Sequence, residues 1–362
     1  MIFLNGQTSG ELHAALASAG VSLRLARQLL RTAVRTGDWP VPGALSEVSP
    51  RLLERLRAVA AVPSLTRLER VESAQDGFVK YLFRGDGPET FEAVRIPLLH
   101  RPTDRKYVVC VSSQVGCTLG CVFCATGRLG FRRDLAAWEM VEQVAQIQAD
   151  SPHPVRGVVF MGMGEPLLNY DAVIRAARIM SEPCGMAMAG QAISLSTAGI
   201  VPGIRRFTVE RQPFRLVVSL TAADPELRRR LMPVEAAHPT SELMAAVREY
   251  HAATGLRVTL AWIMIAGVNT REEDARQLAA LTKGLPITLD LIDVNDPTGQ
   301  FQPPARAELD TFRDALTTHL GMPVARRYSG GKDIHAACGM LAGVISQKNQ
   351  PGAWHGWSGN KR

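Results

Sequence analysis

The strongest constraint on what this chain can fold into is a change of rhythm near residue 107. From there, short apolar segments alternate with amphipathic ones for almost two hundred residues. Candidate strands cover 107–112, 155–161, 192–197, 214–220, 257–265 and 287–292. Helical periodicity fills the gaps near 138–150, 171–181, 200–209, 241–253 and 271–283. Six strand–helix units in succession imply a parallel sheet with helical crossovers, an α/β architecture. A further helix over 305–320 and a strand over 324–328 lead to Cys338. In parallel β/α architectures function collects at the carboxyl ends of the strands.

The residues before 107 read differently. Leu12, Leu16, Leu23, Leu29 and Leu30 mark one helical stretch, and Leu52, Leu53, Leu56 and Val59 mark another. Trp39-Pro-Val-Pro-Gly breaks the chain between them. Segments 66–71, 79–83 and 90–96 are strand-like, with a Gly-Asp-Gly turn at 85–87. The expected organisation is a mainly helical accessory domain over 1–65 and a strand-rich connector over 66–106. The α/β core then spans 107–346, followed by a polar, turn-rich tail over 347–362 that is expected to be mobile.

Composition is that of a globular protein, with 46% hydrophobic and 21% charged residues. No apolar run approaches the length of a membrane span, and the first residues lack a signal peptide's basic and apolar regions. The expectation is a soluble, cytoplasmic protein without a membrane partner, its thiols kept reduced. Lys and Arg total 41 against 34 Asp and Glu, a net charge of +7 that is compatible with a polyanionic partner. Arg24, Arg27, Arg31 and Arg35 recur at helical spacing and form one stripe. A solvated helix face is the competing reading. Aromatic residues make up only 6%, so no stacking platform for single strands is evident.

Six cysteines are present, and three of them, Cys117, Cys121 and Cys124, stand as C-x-x-x-C-x-x-C just after the first core strand. Three thiolates on one short loop can hold three irons of a [4Fe–4S] cluster and leave the fourth open. A structural zinc site wants four ligands, and no fourth Cys or His lies near this loop. A disulfide framework is not needed by a long chain sparse in cysteine. An open iron can chelate and reduce S-adenosylmethionine (SAM), and the spacing resembles the radical-SAM signature. Gly162-Met-Gly164-Glu165-Pro166 follows the second core strand, where glycine admits a ligand closely and Glu165 offers a carboxylate to an amine. Ser196, Ser219 and Asn295 fall at the ends of strands three, four and six, suitably placed for the polar groups of SAM. Cys110, Cys184 and Cys338 have no role that spacing alone defends. A single cysteine is more often a small buried hydrophobe than a nucleophile. Cys338 lies in a Gly-rich stretch that reads as a flexible loop.

Three longer segments make a resemblance specific: Cys110-Val-Ser-Ser-Gln-Val-Gly-Cys117, Phe160-Met-Gly-Met-Gly-Glu-Pro166 and Asp333-Ile-His-Ala-Ala-Cys338-Gly. With them the chain, from Glu92 to Gly343, resembles the RlmN/Cfr family of radical-SAM RNA (adenine-C) methyltransferases. The fold this implies is α/β, a partial (β/α)6 radical-SAM barrel with a small N-terminal, mainly helical accessory domain. The function it implies is methylation of an adenine carbon, C2 or alternatively C8, in 23S rRNA and also tRNA. Carried over by position, Cys117, Cys121 and Cys124 bind the [4Fe–4S] cluster. Gly164, Glu165, Ser196, Ser219, Leu220, Thr221 and Asn295 contact SAM. Cys338 becomes an S-methylcysteine, Cys110 resolves the covalent protein–RNA intermediate by forming a disulfide with Cys338, and Glu92 is the proton acceptor. Two SAM molecules are used per turnover, and an electron donor such as flavodoxin or ferredoxin is required. The two extra cysteines are needed because an sp² adenine carbon is not nucleophilic, so direct polar methyl transfer from SAM fails there.

Four departures from the family pattern stand out. Thr221 follows Ser219-Leu220 where the family has His, and Asp293-Val294-Asn295 replaces Pro-aromatic-Asn. Gly330 stands where the family usually has Arg, and Met340 where it has Gln. They keep two other readings open: a divergent radical-SAM paralogue acting on a small molecule or peptide, and a non-catalytic RNA-binding protein on the same core.

Overall fold

Ten strands form one sheet in which the order in space is the order in the chain. The structure, a computed structural model, describes residues 1–41, 48–98, 105–296 and 298–343. The strands are β1 (Thr66–Glu72), β2 (Val79–Arg84), β3 (Thr90–Leu98), β4 (Lys106–Cys110) and β5 (Val155–Phe160). They continue with β6 (Ile193–Thr197), β7 (Arg215–Ser219), β8 (Val258–Met264), β9 (Ile287–Asp293) and β10 (Ala325–Arg326). Each neighbouring pair from β1 to β4 is antiparallel. From β4 to β10 all pairings are parallel, and each connection carries helix. The α/β sheet and its helical crossovers are thus as expected, and the expected last strand over 324–328 shortens to β10.

The strand-rich connector is continuous with the core. Strand β3 pairs with β4 in a register that sets Val94 opposite Cys110. The pairing covers what would be an open edge of the parallel sheet.

Ahead of the sheet lie α1 (Ser9–Leu16), α2 (Leu23–Thr36) and α3 (Pro50–Val59). A Thr8–Glu11 capping box opens α1, Ser22 caps α2, and left-handed Gly37 ends it. Helix α2 buries Leu25, Leu29, Leu30 and Ala33 and leaves Arg24, Arg27, Arg31 and Arg35 exposed. The crossover helices are α4 (Ala137–Ala149), α5 (Tyr170–Ser181), α6 (Val201–Val209), α7 (Thr240–Thr254), α8 (Glu272–Leu281) and α9 (Arg306–Leu320). The N-terminal helices share one apolar core with them. Phe3 packs edge-on against Trp138 of α4, and Glu11 pairs with Arg175 of α5 at 3.0 Å. The expected tail over 347–362 lies outside the described residues. Among those described, no helix is long and apolar enough to cross a membrane.

Candidate active site

Beyond β4 the chain pairs Gln114–Gly116 with Phe131–Asp134, and the cysteine loop is the excursion between them. Neither short strand was legible in the sequence. The loop is closed by one internal bond and tied to two other segments. Cys124 N–H donates to the Cys121 carbonyl at 3.1 Å, Val122 N–H to the Leu231 carbonyl at 3.1 Å, and Ala125 N–H to the Gly339 carbonyl at 2.8 Å. Cys117, Cys121 and Cys124 are half-buried and line one cavity. Burial, above all, raises all three thiols, Cys117 to about 12. Cys121 is raised further by the neighbouring charges of Cys124 and Cys117.

No three His, Cys, Asp or Glu among the described residues stand close enough to share a single metal ion. A cluster makes a different demand, because each thiolate sits on its own iron. Three thiols from one short loop around one cavity fit a [4Fe–4S] group with one iron open to that cavity. Loading it must expel the three protons that burial otherwise retains.

The far wall of the cavity is made by strand ends. After β5, Gly164 has φ +97°, and a Cβ there would lie 2.5 Å from the Gln114 Cβ. That close approach turns Glu165 inward, with its own N–H on Gln114 Oε1 at 2.8 Å. The Glu165 carboxylate accepts from Leu167 N–H at 3.0 Å and Ala198 N–H at 2.8 Å. Burial pushes its pKa up to about 7, against the pull of those amides. A ligand ammonium beside it would restore full ionisation. Ser196 Oγ and Ser219 Oγ, from the ends of β6 and β7, stand 3.5 Å apart. Asn295, past β9, uses its Nδ2 on the carbonyls of Asp293 and Cys338 and on Ser329 Oγ. Its buried Oδ1 has no partner, an acceptor left for a ligand donor.

Leu220 and Thr221 are placed otherwise. Both are fully buried and neither lines the cavity. Thr221 has φ 62° and an orphaned hydroxyl, while its carbonyl accepts from Asn269 Nδ2 at 2.8 Å. A β-branched residue in the left-handed region is strained. This tight turn closes the back of the β7 end.

Cys338 lines the same cavity as Cys117, Cys121 and Cys124. Its loop is tied down from several directions, unlike the flexible segment that its glycines suggest. Cys338 N–H donates to Ser329 Oγ at 3.1 Å, and Thr126 Oγ1 donates to the Leu341 carbonyl at 2.6 Å. Ser73 Oγ donates to Asp333 Oδ1 at 2.8 Å. Cys110, at the end of β4, is buried and has Cys338 as an electrostatic neighbour. Burial first, and then Cys338, push the Cys110 thiol up to about 12, while Arg327 opposes them.

Glu92 does not line the cavity. Its Oε1 pairs with Lys80 Nζ at 3.0 Å, and its Oε2 accepts from Ala342 and Gly343 N–H at 2.8 and 3.0 Å. It therefore anchors the segment that follows Cys338. Lys80 passed unnoticed in the sequence, although a lone charge inside the apolar strand Val-Lys-Tyr-Leu-Phe is a signal. Gly330 has a packing reason: a Cβ there would meet Asp76 Oδ2 at 2.3 Å and Phe78 at 2.5 Å. Asp293 pairs with Arg326 and, at 3.9 Å, with Lys332. Nothing in the structure explains Met340.

A seven-strand parallel β/α array with three cysteines on the loop after its first strand defines a radical-SAM enzyme. Residues 111–279 match the family model of the radical SAM superfamily. A probable RNA methyltransferase of Myxococcus xanthus is 50% identical over 334 residues, covering 92% of each chain. A dual-specificity RNA methyltransferase RlmN of Syntrophobacter fumaroxidans is 43% identical over 87% of this chain and 91% of its own length. A crystal structure of a radical SAM methyltransferase from Sphaerobacter thermophilus superposes with a TM-score of 0.85 at 37% identity. It covers 95% of this chain and 100% of its own. The chain belongs to the RlmN/Cfr family of radical-SAM RNA methyltransferases.

Proposed function

We propose that this enzyme methylates an adenine carbon, C2 with C8 as the alternative, in 23S rRNA and also tRNA, through an S-methylcysteine at Cys338. The observation that carries the reading is one cavity whose wall combines Cys117, Cys121, Cys124, Glu165, Asn295 and Cys338, with Cys110 buried as the electrostatic neighbour of Cys338.

In this reading Glu165 holds the ammonium of SAM, and Ser196, Ser219 and Asn295 bind its polar groups. The Cys338 sulfur loses its proton and takes the methyl group of a first SAM. When bound, the [4Fe–4S] cluster supplies the electron that cleaves a second SAM, on which hydrogen removal from that methyl group depends. Cys338 then carries the base through its methylene. Forming that closed-shell link removes one proton and one electron from the base: Glu92, held by Lys80 against the segment that follows Cys338, would receive the proton, and the electron would return to the redox centre that supplied it. Cys110 attacks the Cys338 sulfur: the S–S bond forms, and the S–C bond breaks with its electron pair leaving on the base, which takes up a proton. A thiol reductant reopens the disulfide. We place the enzyme in the cytoplasm, supplied with electrons by a flavodoxin- or ferredoxin-type donor.

The Cys110→Ala protein, produced with its cluster, tests the reading. It should form the Cys338–RNA bond without resolving it, so that a covalent adduct accumulates on denaturing gels. Full turnover without adduct would refute the two-cysteine scheme, and mass spectrometry of the modified nucleotide distinguishes C2 from C8.

A further inference from the structure

Arg228 lies in the run Arg228-Arg-Arg230, an arginine cluster in a chain of net charge +7. Arg229 and Arg230 are exposed, but Arg228 is fully buried. It sits on the short helix Pro225–Leu231 and turns inward behind the cavity. Its Nη2 donates to the Ala198 carbonyl at 2.6 Å and its Nε to the Leu220 carbonyl at 3.2 Å. Its Nη1 pairs with Glu235, itself buried and capping α7 through the Thr240 N–H and hydroxyl, both at 2.8 Å.

These contacts converge on the active site. Ala198 is the residue whose N–H holds the Glu165 carboxylate at 2.8 Å, so Arg228 grips the other side of that same residue. Leu220 directly follows Ser219, a cavity residue. The same short helix also accepts the Val122 N–H of the cysteine loop on Leu231, and the guanidinium is an electrostatic neighbour of Cys121. A planar guanidinium can serve two carbonyls and a carboxylate at once; an ammonium cannot hold that fork.

We infer that Arg228 is a positioning residue that locks the ends of β6 and β7 to the cysteine loop, orienting Glu165 and Ser219 toward SAM and turning the positive end of the buried Arg228–Glu235 pair toward the cluster site. The inference rests on the cluster-and-SAM site described above. The nearer, positive end of a buried ion pair favours the more reduced, more negative state of a neighbouring redox group, so loss of the pair lowers the midpoint potential.

Two variants separate geometry from charge. Arg228→Lys keeps the charge but not the fork. Arg228→Gln combined with Glu235→Gln removes both charges, so no unpaired buried ion threatens folding. With iron content and thermal midpoint matched to wild type, both should bind SAM about tenfold more weakly, the loss expected for charge-assisted hydrogen bonds. In a redox titration followed by electron paramagnetic resonance, only the double variant should show a lowered midpoint potential. Wild-type SAM affinity in both variants would overturn the positioning role. One midpoint potential for all three proteins would overturn the electrostatic one. Wild-type protein that binds neither iron nor SAM would instead refute the underlying site, and this inference with it.

Discussion

At the scale of single residues, burial decides reactivity. Cys110 and Cys338 are proposed as partners, yet Cys110 is buried and its thiol is pushed up to about 12. The thiolate is the nucleophile, and below such a pKa its fraction grows about tenfold per pH unit. Alkylation of Cys110 by iodoacetamide, read by peptide mass spectrometry, should therefore be slow at pH 7 and accelerate steadily to pH 9. Rapid labelling at pH 7 would mean that Cys110 is neither buried nor protonated as described. Gly164 makes a second residue-scale prediction. Alanine there brings a Cβ to 2.5 Å from Gln114 with φ at +97°. Strain of this kind costs about 1–3 kcal/mol. Gly164→Ala should lower the melting temperature and displace Glu165, so that SAM affinity falls along with it. An unchanged affinity in isothermal titration would remove Gly164 from the SAM site.

At the scale of elements, α2 has two faces with separate tasks. Its leucines enter the core, while Arg24, Arg27 and Arg31 line a groove with Ser9, Glu182, Pro183 and Cys184. Arg35 continues the exposed stripe one turn on. Exposed guanidiniums at helical spacing suit phosphates, whose neutralisation releases counterions. Replacing all four arginines by glutamine should weaken RNA binding and flatten its salt dependence by about one unit of slope per lost contact. The apolar face is untouched, so SAM cleavage without RNA should persist. An unchanged salt slope would return the stripe to an ordinary solvated surface.

At the scale of the whole molecule, the sheet and the cluster loop are separable. The ten strands are held by their own ladders and an apolar core, whereas the three cluster cysteines are only half-buried. Changing Cys117, Cys121 and Cys124 together to alanine should abolish iron binding, about four irons per chain in the intact protein. The far-ultraviolet circular dichroism should stay that of wild type. Residual deoxyadenosine formation from SAM would refute the cluster assignment, and loss of the fold would show that the metal is structural.

The order of strands and helices was legible along the chain because each crossover repeats the same local periodicities. The cysteine loop was legible because its three cysteines lie within eight residues, 117 to 124. The short strands that frame this loop were not, since a three-residue strand has no period to detect. The positions of Leu220 and Thr221 beside Ser219 suggest SAM contacts, but side chains alternate in direction past Ser219 and Thr221 enters a left-handed turn, and neither residue lines the cavity. Glu92 and Lys80 sit on neighbouring strands, and only the register between β2 and β3 brings their charges together.

The sequence by itself therefore determined the α/β succession and the family, and singled out the C-x-x-x-C-x-x-C triplet, all encoded in local spacing and contiguous motifs. Only the tertiary structure decided which arginine of Arg228-Arg-Arg230 turns inward, what Glu92 is paired with, and how tightly the Cys338 loop is held. The physical reason is that these depend on burial and on contacts between segments distant in the chain. The desolvation cost of a buried charge is met by partners that no local window contains.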